Sequence, residues 1–152
     1  MSSETDRIEK RITLRAPRAR VWRALTDPKE FGAWFGVGPI EGTFSPGAHL
    51  RGPVTHPGYT HMTWAITVES MESERSMSWS WHPGSPNADH DYEAEPATTV
   101  TFTLEDTPEG TALTVVESGF DKLPPGRREE AYRGNVGGWD AQALAIEKYV
   151  SR

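Results

Sequence analysis

Seven large rings, Phe31, Trp34, Trp64, Trp79, Trp81, Phe102 and Trp139, have more to offer a ligand than anything else in this chain. Aromatic side chains bury large areas and sandwich flat or greasy molecules, and an indole N–H adds a polar handle at the ring edge. Ordinary core packing accounts for any one of them, because large aromatics are mostly interior. As a set they are harder to place: six tryptophans in 152 residues fill a core awkwardly unless hollow space lies beside them. The expected ligand-binding set is therefore these seven with Val115, Tyr132, Asn135 and Ala143. For acid–base work the weaker candidates are Glu117, His61 and Asp140, with Tyr132 beside them. Glu117 shares the parity of Leu113 and Val115, so strand alternation puts its carboxyl group on an apolar face unless it sits wet at the strand's end.

Other chemistries have little to work with. Without cysteine there is no disulfide framework, thiolate metal site or cysteine nucleophile. Metal ligation needs several convergent donors, and the Asp89-His90-Asp91 run with Glu93 and Glu95 reads instead as a solvated acidic loop. No metal and no cofactor are expected. Gly-x-Ser-x-Gly is absent, and the Gly36-x-Gly38 pair meets Glu41 where a nucleotide loop needs its third glycine. A formal net charge of −6 with no basic patch argues against nucleic acid or an anionic membrane as partner. The start, Met1-Ser2-Ser3-Glu4, lacks a basic and then apolar signal, and no apolar run approaches the roughly 18 residues of a membrane span. The expectation is a cytoplasmic chain, monomer or homodimer, folded as one domain over residues 1–152.

The elements that must position these residues are legible from periodicity. Ile8 to Arg15 alternates as a strand with one wet face, with Lys10 interrupting its apolar side. Ala16-Pro17 opens a helix carrying Val21, Trp22, Ala24 and Leu25, which Asp27-Pro28 stops. A second short helix, Lys29 to Phe35, follows. Ile40 to Phe44 and His49 to Val54 read as short strands within a turn-rich passage. Alternation then runs through Met62 to Val68, Ser76 to Trp81, Thr99 to Leu104 and Thr111 to Glu117, the mark of an antiparallel sheet with one covered face. Arg127 to Val150 closes the chain as a helix whose buried stripe is Tyr132, Val136, Trp139, Ala143, Ile146 and Val150. Gly134, Gly137 and Gly138 interrupt it, each costing roughly 0.5–1 kcal/mol relative to alanine, which implies a kink or a late helix start just before Trp139, or a close approach of its backbone to the sheet or a ligand.

Four ordered blocks, Ile12 to Trp34, Phe44 to Arg51, Leu113 to Phe120 and Gly138-Trp139, resemble the activator of heat-shock-protein-90 ATPase homologue family of the Bet v 1-like, START-related (SRPBCC) superfamily. The resemblance implies an α+β helix-grip fold: a curved antiparallel sheet of about seven strands around a long C-terminal helix, two short helices after the first strand, and a deep apolar cavity under the long helix. Ala48, Asn135 with Gly137-Gly138, and the Pro83 to Pro96 loop depart from the family's pattern. Three functions follow as expectations. The first is binding of a small hydrophobic or aromatic ligand in that cavity, with no reaction of its own. The second is a chaperone-linked interaction module, ranked lower because only the part resembling the C-terminal domain of the eukaryotic activator is recognisable. The third is a cyclase-, dehydratase- or hydrolase-type enzyme using the same cavity.

Overall fold

The computed structural model describes residues 7–82 and 96–151. β1 (Arg7–Leu14) buries Ile8 and Leu14 and turns Arg7, Glu9, Arg11 and Thr13 to solvent. Lys10, on the inward parity, is accommodated because its ammonium reaches the exposed Asp140 carboxylate at 2.6 Å. α1 (Arg18–Thr26) follows Pro17 and buries Val21, Ala24 and Leu25. Asp27 ends α1 and caps α2 (Pro28–Phe35): its Oδ1 accepts the backbone N–H groups of Lys29 (2.9 Å) and Glu30 (3.1 Å). Gly36, at φ +92°, closes α2 in the left-handed conformation.

Five strands follow: β2 (His49–Pro53), β3 (Thr63–Glu72), β4 (Ser76–Trp81), β5 (Thr98–Thr107) and β6 (Gly110–Ser118). All pairings are antiparallel, in the order β1-β6-β5-β4-β3-β2, so α1 and α2 join the two opposite edges of the sheet. Alternation decides the faces: Trp64, Ile66, Val68, Met77, Trp79, Val100, Phe102, Leu113 and Val115 are buried, while serines and threonines populate the outer side. After a single 3-10 turn (Phe120–Lys122), α3 (Arg127–Val150) packs against β1 and α2 and buries Trp139, Ala143, Ile146 and Val150. This is the helix-grip arrangement, with six strands rather than about seven among the described residues.

Two expectations are corrected. Ile40 to Phe44 does not form a strand; only an isolated bridge joins Glu41 to Arg51. Gly42 stands at φ +109° against the His49 carbonyl, 2.8 Å from where a Cβ would be, and that left-handed residue breaks the extended run. α3 neither starts late at Trp139 nor brings its glycines close to anything. It runs unbroken from Arg127, and Gly134, Gly137 and Gly138 face open space, with nothing beyond the helix's own backbone and their chain neighbours within 4 Å of where a Cβ would stand. The buried residues of its opposite side hold the helix against the sheet despite their low propensity.

Candidate functional site

The inner face of the sheet, α2 and α3 converge on one aromatic cluster. Phe31 and Phe35 stack at 4.7 Å between centroids, four residues apart on the same side of α2. Phe31 meets Trp34, Phe44, Trp64 and Trp79 at 5.1–6.5 Å. Trp79 leads on to Trp81 (5.0 Å) and Phe102 (5.8 Å), and Trp139 on α3 closes the set against Phe35, Trp81 and Phe102. All seven rings singled out in the sequence lie in this cluster. Phe35 and Phe44 belong to it as well. Phe35 is missing from the expected set although its spacing from Phe31, one helical turn, was a readable signal. Only Phe35 and Trp81 among these rings are half-exposed.

Among the described residues, no deep cavity lies under α3. Rings occupy the space, leaving a hollow of about 10 Å³ lined chiefly by Ile12, Trp34, Leu113, Val115, Trp139, Ala143 and Ile146. A wider depression of about 370 Å³ lies on the outer face of the sheet, among His49, Arg51, Ala65, Thr67, Ser80 and His82. It contains no buried polar group to orient a ligand, so the inner site is the better candidate.

Polar atoms inside the inner site are few and sharply placed. The Nε1–H of Trp34 donates to the Ala24 carbonyl at 2.8 Å and ties α2 to α1. The Nε1–H groups of Trp64 and Trp79 are buried and meet no acceptor among the described residues. Glu117 is fully buried. Its Oε1 accepts from Trp139 Nε1 (2.8 Å) and Asn135 Nδ2 (2.8 Å); its Oε2 accepts from Trp81 Nε1 (2.7 Å), Thr98 Oγ1 and Asn135 Nδ2 (3.0 Å). The register explains the convergence: β4 pairs Trp81 with Thr98, and β5 pairs Val100, two residues further on the same face, with Glu117. Thr98, fully buried, was also missed, because the sequence-read strand begins one residue later, at Thr99.

Of the acid–base candidates, the structure keeps Glu117 inside and separates the others from it. His61 is exposed in the Tyr59–Met62 turn before β3, and Asp140 is exposed on α3 beside Lys10. Tyr132 is half-buried with its ring against Phe120 at 5.5 Å, outside the cluster around Glu117. Asn135 does join Glu117, while Val115 and Ala143 border the hollow. No group of histidine, aspartate and glutamate among the described residues is arranged to hold a metal, and the Asp89-His90-Asp91 run lies outside them. No described helix is long and apolar enough to cross a membrane.

Residues 15–151 match the family described as Activator of Hsp90 ATPase homolog 1-like protein. No curated protein matches the chain. Among solved structures, protein MLL2253 from Mesorhizobium loti is 24% identical, with a TM-score of 0.75 over 96% of this chain and 97% of that one. Protein NE0264 from Nitrosomonas europaea is 19% identical, with a TM-score of 0.73 over 99% and 97%. DynU16, described as a putative protein in the dynemicin biosynthetic locus, is 25% identical with a TM-score of 0.72; the match covers 96% of this chain but 47% of that one.

Proposed function

Because the chain belongs to the family of Activator of Hsp90 ATPase homolog 1-like proteins, we propose that it binds a small hydrophobic or aromatic ligand between its sheet and α3, without a reaction of its own. The family and the fold support a ligand-binding or activator-type module. The observation that carries the finer reading is the pair of buried indole N–H groups, on Trp64 and Trp79, that the described residues leave without an acceptor. A donor withdrawn from water and unpaired costs about 1–3 kcal/mol, and a ligand oxygen seated among these rings relieves that cost. The rings themselves supply the apolar contact, and the half-exposed Phe35 and Trp81 part to admit the ligand. The description of DynU16 as a putative protein in the dynemicin biosynthetic locus fits a protein that handles small molecules.

The test is a titration of neutral aromatic probes such as 1-naphthol, alongside medium-chain alcohols, followed by intrinsic tryptophan fluorescence. Saturable quenching, weakened at least several-fold in a Trp139→Phe variant that removes one indole from the wall, is the expected result. No saturable response from any probe up to millimolar concentration contradicts the reading.

A second reading, a module acting through a chaperone, is favoured by the family's own description. Adding the protein to a heat-shock-protein-90 homologue then raises ATP turnover and the two co-elute; unchanged turnover with no co-elution removes this reading.

A further inference from the structure

Glu117 is fully buried, and the four side chains that reach it, Trp81, Thr98, Asn135 and Trp139, are all neutral. A carboxylate taken out of water is ordinarily matched by a cation, and among the described residues no lysine or arginine pairs with this one. Trp81 and Trp139, two of the rings that donate to it, stand with centroids 6.0 Å apart, and Phe35 lies 6.1 Å from each. A ring attracts a cation held over its face within roughly 6 Å, so a carboxylate set among these rings suits a charged ligand.

We infer that the ligand carries a protonated primary or secondary amine, with Glu117 accepting its N–H groups and the Phe35, Trp81 and Trp139 rings enclosing its charge. The inference rests on the ligand-binding reading above and narrows its chemical class. Trp81 and Asn135 are the half-buried members of the donor set, so their hydrogen bonds are the ones the ammonium takes over. An ammonium N–H on a carboxylate joins two full charges, where the indole and amide donors it replaces bring none, which favours the exchange. Trp139 also borders the small hollow beside Leu113 and Ala143, so the amine's apolar body lies on that side once the rings part.

The test compares 2-phenylethylamine with the near-isosteric 2-phenylethanol by isothermal titration calorimetry at pH 7, where the amine is protonated. The amine is expected to bind about tenfold tighter or more. Glu117→Gln removes that preference, so that amine and alcohol bind it alike. Phe35→Leu, which keeps apolar bulk at a half-exposed position but removes one ring face, lowers the amine's affinity more than the alcohol's and narrows the amine-to-alcohol ratio several-fold. If Glu117→Gln fails to fold, the Phe35→Leu comparison decides: an unchanged amine-to-alcohol ratio overturns the enclosure of the charge by these rings. Alcohol binding as tightly as amine to the unaltered protein overturns the amine and leaves the apolar-ligand reading standing. Failure of the amine, the alcohol and the neutral aromatic probes alike overturns both.

Discussion

Glu117 carries the largest polar stake in the interior, because its four donor residues come from separate parts of the chain: β4, β5 and two turns of α3. Replacing it by glutamine points an amide N–H at donors of which two, Thr98 and Trp139, are buried and have nowhere else to turn. Glu117→Gln is therefore expected to cost about 2–3 kcal/mol in urea unfolding. Thr98→Val removes a single donor with little change of shape and leaves Oε2 two others, so it costs only about 1 kcal/mol. Equal losses for the two variants contradict the network. The inward parity of Glu117 was legible from Leu113 and Val115. Its donors were not, since Trp81 and Asn135 reach it across strand register and helix rotation that no local pattern encodes.

At the scale of the elements, α3 was read with its full bounds and its buried stripe, yet its glycines were misread. Gly134, Gly137 and Gly138 sit on the exposed side where nothing approaches them, so alanine there adds helix propensity without a clash. The pair Gly134→Ala and Gly137→Ala is expected to stabilise the protein by about 1–2 kcal/mol, a rise of several degrees in thermal midpoint. A drop instead means that this face of the helix is occupied in solution. Gly32 on α2 is the opposite case: a Cβ there meets the Val37 carbonyl oxygen at 2.3 Å, so Gly32→Ala destabilises despite equal propensity grounds for a gain. The cap on α2 adds a third comparison. Asp27→Ala loses both backbone hydrogen bonds to Oδ1 and costs about 1 kcal/mol in chemical denaturation. The stop signal at Asp27-Pro28 was plain in the sequence. The failure of Ile40 to Phe44 as a strand was not, because a left-handed Gly42 is set by its contact with His49 rather than by its neighbours in sequence.

In the whole molecule, sheet and helix meet through rings rather than around a void. The alternating strands and the terminal helix made the helix-grip architecture readable, because hydrophobic period survives in sequence. How full the interior is did not survive there. Six tryptophans point to hollow space, and the structure instead packs five of them into one ring cluster, largely edge to face, leaving about 10 Å³. Ligand binding in such a molecule requires the rings to yield, with the half-exposed Phe35 and Trp81 first. Proton–nitrogen spectra of the six indole N–H groups, recorded while a neutral aromatic probe is added, report on that event directly. The indoles of Trp64, Trp79, Trp81 and Trp139 are expected to shift together and saturate at one probe concentration, while Trp22 on α1, which joins none of the cluster's ring contacts among the described residues, stays in place. Indole signals that stay fixed for all four at saturating probe, or a shift confined to Trp22, contradict the account.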